Sequence, residues 1–168
     1  MLANRLMSVL KASSAVIFAW STTLKTNIGL SSANTIATPT NAPANICSDT
    51  DLTGSIYCEV SCTNLTSGLY YTLGLMPATS TRPSTVSATP TGGIRLGAQQ
   101  PAYIFGISYN ASNGTYKIKR NNISIASGTL SVVSNMRVFF YSDYYFGLRS
   151  IATINVGQSP FVYTPEYI

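Results

Sequence analysis

Frequent turn residues divide the sequence into short runs of β-branched and aromatic residues, and this pattern restricts the possible folds more than any other feature. The clearest runs are 56–62, 69–75, 102–110, 136–141 and 151–156. Asn113-Gly114 is a strong hairpin signal, and Asn121-Asn122 predicts a second tight turn. About ten short strands joined by turns predict an all-β chain that folds as an antiparallel β-sandwich or jelly roll.

The composition favours the same fold class. Charged residues make up only 9% of the chain, whereas 22 Ser and 20 Thr are present, so a helical bundle rich in Lys and Glu is not expected. The chain has no His, which excludes His-based triads and His metal sites. Two Pro-containing segments, 37–44 and 76–93, are predicted to be long exposed loops.

The net charge of +5 does not by itself indicate a nucleic-acid surface. Among the ten basic residues only Lys117, Lys119 and Arg120 cluster, and several phosphates must be neutralised together for such binding. The two lysines alternate with Tyr116 and Ile118, so they are predicted to face water. No nucleic-acid partner is expected.

The three cysteines are predicted to be free thiols in the core. Cys58 and Cys62 share one face of a strand with Ile56 and Val60, and four residues along a strand span ~13 Å, beyond the reach of a disulfide. Cys47 could meet either of them across strands, and the sequence leaves that open. Too few ligands are present for zinc, and we expect no metal and no cofactor.

Residues 1–19 are predicted to form an N-terminal arm, and residues 20–168 the sandwich domain. The arm has the early Arg5 and the apolar stretch of a signal peptide, but Lys11 interrupts the apolar run. It is also too short in uncharged apolar residues to span a membrane. An ordered arm, a first strand or a short helix that docks on a partner subunit explains it better.

Four segments resemble the SPRY domain family, which has a bent, concanavalin-like β-sandwich. They are 54–60 (GSIYCEV), 73–75 (LGL), 108–122 and 154–165 (INVGQSPFVYTP), of which the last is the most specific. Upstream, Trp20, the segment 27–31 and Asn34 resemble the beginning of versions found in bacteriophage virion proteins. The resemblance covers about residues 20–168. In the 154–165 ending, Phe161 and Tyr163 are predicted to attach the C-terminal segment to the sandwich, with Pro160 and Pro165 fixing its path.

The resemblance implies a non-enzymatic structural protein of a bacteriophage virion, as a capsid decoration, head-fibre or tail-associated subunit. The N-terminal arm would contact other virion proteins, the chain would form a homo-oligomer, and the sandwich would bind host-surface glycans or proteins. The alternative is a free-standing recognition module, either lectin-like or peptide-binding.

The densest aromatic run, 139–146, supplies the candidate ligand-binding residues. Phe139 and Tyr141 are predicted to alternate into the core, and Phe140 is also expected to be buried. The turn that follows would be exposed, where aromatic rings and hydrogen-bonding groups could contact a glycan or a protein. The candidate binding residues are Asp143, Tyr144, Tyr145 and Arg149.

Glycoside hydrolysis is the enzyme activity to weigh, because concanavalin-like sandwiches include glycosidases. It needs two carboxylates that flank a sugar. The available carboxylates are Asp49, Asp51, Glu59, Asp143 and Glu166. Glu59 is isolated on the strand face opposite Cys58, and Asp49 and Asp51 lie in a turn-like segment, so no catalytic pair is evident and no enzyme is expected.

Overall fold

A computed structural model describes residues 19–64, 71–85, 87–98, 102–131, 135–142, 150–155 and 160–168. Across these ranges the regular structure consists of strands only. The strands are β1 (Trp20–Thr26), β2 (Ile28–Ser31), β3 (Ile36–Pro39), β4 (Ala44–Ser48), β5 (Ser55–Asn64), β6 (Tyr71–Pro77), β7 (Ile94–Ala98), β8 (Ala102–Asn110), β9 (Thr115–Arg120), β10 (Ile123–Thr129), β11 (Met136–Ser142) and β12 (Ser150–Asn155).

The strands form two antiparallel sheets that pack as a sandwich. One sheet has five strands in the order β1-β4-β11-β6-β7, and the other has seven in the order β10-β9-β8-β5-β12-β3-β2. The predicted all-β sandwich is confirmed. No helix within the described ranges is long and apolar enough to cross a bilayer.

Both predicted hairpins are present. Strands β8 and β9 join through the turn that contains Asn113-Gly114, where Gly114 has φ 73° and the Asn113 side chain accepts a hydrogen bond from the Thr115 amide at 2.9 Å. Strands β9 and β10 join at Asn121 and Asn122, whose φ angles are 48° and 67°. Two successive left-handed residues are what a tight hairpin turn requires, and Asn tolerates that conformation.

The predicted loop at 37–44 is partly wrong. Residues 37–39 belong to β3, where Ala37 is fully buried and pairs with Leu30 on one side and Ala152 on the other. Pro39 is the last residue of the strand, a position where its missing N–H is tolerated. The loop at 76–93 is also shorter than predicted, because β6 continues through Met76 and Pro77.

The main core lies between the two sheets, and Trp20 connects them. Its indole is fully buried, with the Phe140 ring at 6.4 Å between centroids, and its Nε1 donates a hydrogen bond to the carbonyl of Ala152 in the other sheet at 3.1 Å. The largest other side chains of this core are Tyr71, Tyr109, Phe105, Phe140, Ile46, Leu52, Leu73, Leu75 and Ile107.

A second, smaller cluster lies on the outer face of the five-stranded sheet. It consists of Cys47, Met76 and Phe139, with the partly buried Leu24 packed against them. Phe139 and Phe140 are both buried as predicted, but the predicted inward face of the strand is wrong. Successive side chains point to opposite faces, and it is Phe140 that enters the main core while Phe139 enters the outer cluster.

The cysteines are free, as predicted. Cys58 and Cys62 are fully buried between the sheets, whereas Cys47 lies in the outer cluster, so the pairing that the sequence left open does not form. Burial raises the pKa of the Cys58 thiol to about 12 and also raises that of Cys62. Both thiols therefore remain protonated and act as small apolar core residues.

A substitution at Gly74 in β6 tests how tightly the outer face of the five-stranded sheet is packed. A methyl group there would overlap the carbonyl of Ile94 and lie 3.0 Å from the Phe139 ring, whereas at Gly97 in the neighbouring strand the nearest atom would be 3.5 Å away. We expect Gly74→Ala to lower the free energy of unfolding by about 3 kcal/mol and Gly97→Ala by less than about 1 kcal/mol. Urea unfolding of the two variants measures the difference, and equal losses would contradict the packing described.

Thiol alkylation tests the burial of Cys58 and Cys62. We expect iodoacetamide at mildly alkaline pH to leave both unmodified in the folded protein, because they are inaccessible and their raised pKa keeps them protonated. Both should react after unfolding in urea, when their pKa returns towards 9.0. Peptide mass spectrometry locates the modified residues, and rapid labelling of either thiol in the native state would refute the assignment.

Candidate functional site

The four residues predicted to bind a ligand, Asp143, Tyr144, Tyr145 and Arg149, lie outside the described residues. They fall between β11 and β12 in the sequence, and their binding role stays a prediction. Two regions of the described residues stand out: the outer face of the seven-stranded sheet and a cleft on the five-stranded sheet.

Glu59 attaches the C-terminal segment, residues 160–168, to the outer face of the seven-stranded sheet. Its carboxylate accepts hydrogen bonds from the amides of Val162 and Tyr163, each at 2.8 Å, and from the Tyr57 hydroxyl at 3.1 Å. The residue is only 3% exposed. The sequence analysis found no second carboxylate to pair with Glu59; the structure supplies three hydrogen-bond donors, because the chain returns over β5.

Further contacts extend along the same segment. The Phe161 ring packs edge-on against Tyr57 at 4.9 Å between centroids, which confirms the predicted attachment through Phe161. Tyr163 contributes its main-chain amide to Glu59. Hydroxyl and amide groups of the sheet then bind main-chain oxygens of the segment. These bonds are Ser108 Oγ to Glu166 at 2.5 Å, Ser55 Oγ to Ile168 at 2.7 Å and Asn110 Nδ2 to Ile168 at 3.0 Å.

Lys117 and Lys119 do not simply face water, so that prediction is wrong. Both ammonium groups form ion pairs with Glu166, with Lys119 Nζ at 2.6 Å from Oε2 and Lys117 bonded to Oε1. The hydrogen bonds from Lys117 and Lys119 lower the pKa of Glu166. The strand alternation does place the two lysines on the outer face, but the C-terminal segment lies across that face.

The remaining described carboxylates are Asp49 and Asp51. Asp51 pairs with Arg137, with 2.5 Å between Oδ1 and Nε, and Asp49 accepts a hydrogen bond from Thr50. Within the described ranges, no group of three or more Cys, Asp or Glu side chains could hold a metal ion.

The second region is a cleft of about 300 Å³ on the outer face of the five-stranded sheet. It lies between β1, β4, the end of β6 and the loop that follows β6. Its lining residues are Leu24, Asn45, Cys47, Met76, Ala78, Ser80, Thr81 and Arg82. An apolar floor with a few fixed polar groups is the usual arrangement of a ligand site, and the volume lies at the lower end for such sites.

Arg82 is held in a fixed orientation at this cleft. Its Nε donates to Asn45 Oδ1 at 2.8 Å and its Nη2 to Thr26 Oγ1 at 3.3 Å. Asn45 is only 7% exposed and is itself fixed in the middle of the ladder between β1 and β11. The guanidinium is therefore oriented by neutral acceptors before any ligand arrives.

Cys47 lies at the floor of the cleft as a protonated thiol. Burial raises its pKa, and nearby Arg137 and Arg82 oppose that shift only in part. The thiol is 3% exposed, and its Sγ lies 3.9 Å from the carbonyl oxygen of Leu24. Because the thiolate is the nucleophilic form, this environment does not activate it.

Another groove continues on the other side of Arg82. It has a volume of about 230 Å³ and is lined by Thr81, Arg82, Pro83, Ser84, Ala88, Thr89, Pro90 and Thr91. A wider, shallower depression of about 370 Å³ lies near Asp51 and Gly54, but its acidic residue is already paired with Arg137. The Arg82 cleft and its neighbouring groove therefore form the stronger candidate site.

Sequence analysis missed Arg82 because its signal was weak. It is a single basic residue in a loop of Ser, Thr and Pro. Its importance depends on Asn45 and Thr26, which lie 37 and 56 positions away in the sequence. Only the isolation of one charge within an otherwise uncharged segment, 76–93, could have drawn attention to it.

No protein-family model and no curated protein matches this sequence. Solved structures do resemble the chain. The solution structure of the NHR domain in Neuralized from Drosophila melanogaster matches with a TM-score of 0.59 at 14% identity over 88% of this chain and 96% of that domain. The crystal structure of the Drosophila melanogaster neuralized-NHR1 domain gives a TM-score of 0.54 at 15% identity, covering 81% and 96%.

The stonustoxin structure matches with a TM-score of 0.59 at 13% identity. The match covers 82% of this chain but only 27% of the stonustoxin chain, so it concerns about a quarter of that protein. At these identities the likeness concerns the fold alone. The chain has the SPRY-like, concanavalin-like β-sandwich fold that its sequence resemblance implies.

Two substitutions separate the contributions of Glu59 and Glu166 to attachment of the C-terminal segment. We expect Glu59→Gln to lower the free energy of unfolding by about 1–3 kcal/mol, because an amide has one acceptor oxygen and turns its NH₂ towards a buried N–H. Hydrogen exchange should accelerate at the amides of Val162 and Tyr163. Glu166→Gln should cost less and should lose its effect at high salt, because those ion pairs are about one-third exposed.

Acidification tests the ion pairs of Glu166 separately from the hydrogen bonds of Glu59. The pKa of Glu166 is lowered in the folded state, so its stabilising contacts are present above its ordinary value of 4.5 and are lost as pH falls through the folded value. The Glu166→Gln variant should show less of this acid dependence than the wild type. Identical acid profiles, or exchange at Val162 and Tyr163 that is unchanged in Glu59→Gln, would contradict the assigned contacts.

Proposed function

We propose that this chain is a non-enzymatic binding module and, more specifically, a structural protein of a bacteriophage virion that displays its SPRY-like sandwich towards host-surface glycans or proteins. The observation that carries the proposal is the composition of the Arg82 cleft. Its described lining offers an oriented guanidinium, hydroxyl and amide groups and an apolar floor, but no carboxylate. Such a set can hold a ligand, and its ionisable groups are limited to the Arg82 guanidinium and the buried, protonated Cys47 thiol.

The positions of the acidic residues also support a binding role over hydrolysis. Glu59 and Glu166 hold the C-terminal segment, and Asp51 is paired with Arg137. A glycosidase needs two carboxylates free to act on opposite sides of a sugar bond. With only five acidic residues in the whole chain, three of which make these structural contacts, little acid–base capacity remains.

The virion assignment is supported by the sequence resemblance around Trp20 and residues 27–31. In this proposal the N-terminal arm attaches the sandwich to other virion proteins or to further copies of the chain, in a capsid decoration, a head fibre or a tail-associated subunit. The cleft and the predicted contact residues Asp143, Tyr144, Tyr145 and Arg149 would then be available to a host-surface ligand.

A free-standing recognition module is the second candidate. The observation that favours it is the attachment of residues 160–168 to the outer face of the same chain's seven-stranded sheet. This intramolecular cover means that a large sheet surface does not depend on a partner subunit. The two candidates differ in what the N-terminal residues do.

Light scattering on the full chain and on a variant that begins at residue 19 distinguishes them. Ala19 is retained because it is buried and its carbonyl accepts the Asp49 amide at 3.0 Å. We expect an oligomer for the full chain and a monomer for the shortened one, because the arm supplies the subunit contacts. Emission from Trp20, the single and fully buried tryptophan, reports whether the shortened variant is folded.

Monomers in both cases would favour the free-standing module. An oligomer that persists without residues 1–18 would contradict the role given to the arm. Addition of the separate 1–18 peptide to the full chain is a further control, since the peptide should compete with assembly of the full chain.

A further inference from the structure

Arg82 is the cation that lines the cleft and its neighbouring groove, and it contrasts with three described cations that are neutralised by carboxylates. Arg137 pairs with Asp51, and Lys117 and Lys119 pair with Glu166. No carboxylate of the described residues lies within ion-pair distance of Arg82, whose recorded partners are an amide oxygen and a hydroxyl. The half-buried guanidinium thus has hydrogen-bond partners that fix its orientation but do not neutralise its charge.

The geometry of this group suits an anion with two acceptor oxygens. A guanidinium has five N–H donors in one plane, and Asn45 and Thr26 accept from Nε and Nη2. Donors therefore remain for a ligand in the cleft. Arginine forms strong contacts with carboxylates and phosphates through paired charge-assisted hydrogen bonds, and a fixed orientation reduces the entropy lost on binding.

We propose that the cleft beside Arg82 binds a carboxylate carried by an acidic sugar residue. This inference rests on the binding function proposed above and specifies the ligand class. The carboxylate contacts Arg82, the sugar hydroxyls contact Ser80 and Thr81, and the C–H surface of the ring lies on Leu24 and Met76. Each Ser or Thr hydroxyl both donates and accepts, as sugar hydroxyls require.

The neighbouring groove favours a sugar over a proline-rich peptide. It adds the hydroxyls of Ser84, Thr89 and Thr91 on the other side of Arg82, where a second sugar residue could lie. Pro83 and Pro90 are buried, which limits the conformations of this loop. Grooves that bind proline-rich peptides are lined by aromatic rings, and no aromatic side chain lines either of these two depressions.

The experiment compares acids with their esters on the full-length, ¹⁵N-labelled protein at constant ionic strength. The probes are the methyl glycosides of D-galacturonic acid and of N-acetylneuraminic acid, each beside its methyl ester, which keeps the shape and removes the charge. Side-chain Nε–H signals of the arginines and amide signals of Ser80 and Thr81 report binding. We expect saturable shifts at Arg82 for at least one acid and at least about tenfold weaker binding of its ester.

Three variants locate the effect. Arg82→Gln should reduce the affinity for the acid to that of the ester, and Arg82→Lys should retain part of the preference, because lysine keeps the charge but not the paired donors. Arg120→Gln is the matched control: it removes the same charge from the seven-stranded sheet, where Arg120 lies 4.7 Å from the Tyr103 ring centroid. It should leave binding unchanged. Thermal unfolding of each variant verifies that the sandwich is intact.

Several outcomes would overturn the proposal. Equal binding of acid and ester would reject the carboxylate while leaving the binding module in place. Equal losses of affinity for the acid in Arg82→Gln and Arg120→Gln would show that binding depends on the net charge of the protein and not on the cleft. A glutamate-rich peptide that shifts the cleft signals when neither acidic sugar does would reject the sugar. If none of these probes moves a cleft signal, both the ligand class and the binding function assigned to this cleft are wrong.

Discussion

The alternation of side chains along β5 is the constraint on which most of this structure depends. Cys58, Val60 and Cys62 point into the core between the sheets, while Tyr57 and Glu59 point outward. The outward residues are nevertheless buried, because the C-terminal segment covers them. One strand thus contributes to two packed layers, and a shift of one residue in its register would move charged and apolar side chains to the wrong faces.

The scarcity of charge explains how the chain uses its acidic residues. Glu59 accepts two main-chain amides in a buried position, and Glu166 joins two lysines to the C-terminal segment. In a chain with many Ser and Thr and few charged residues, a cation beside a cleft and without a carboxylate partner is notable. Arg82 is such a cation among the described residues, and it stands beside a cleft that contains no acid. This contrast is the basis for the proposal that the cleft binds a ligand.

Local sequence signals predicted the strands and turns well. Asn113-Gly114 and Asn121-Asn122 determine their hairpins through backbone conformations that few other residues adopt easily. The two prolines of segment 37–44 gave a wrong boundary, because pairing of Ala37 with two neighbouring strands outweighs the local preference for a loop. The face on which Lys117 and Lys119 lie was also predictable. Their partner was not, because Glu166 is 47 residues or more away.

The sequence by itself determined the fold class, the burial of Cys58 and Cys62 and the outward face of Lys117 and Lys119, because these depend on side-chain period and on turn residues close in the chain. Only the tertiary structure decided which distant parts of the chain contact the outer faces of the two sheets. Attachment of residues 160–168 to Glu59, and the orientation of Arg82 by Asn45 and Thr26, join groups that lie far apart in the sequence. Such contacts follow from how the sheets stack and where loops return, which no local pattern specifies.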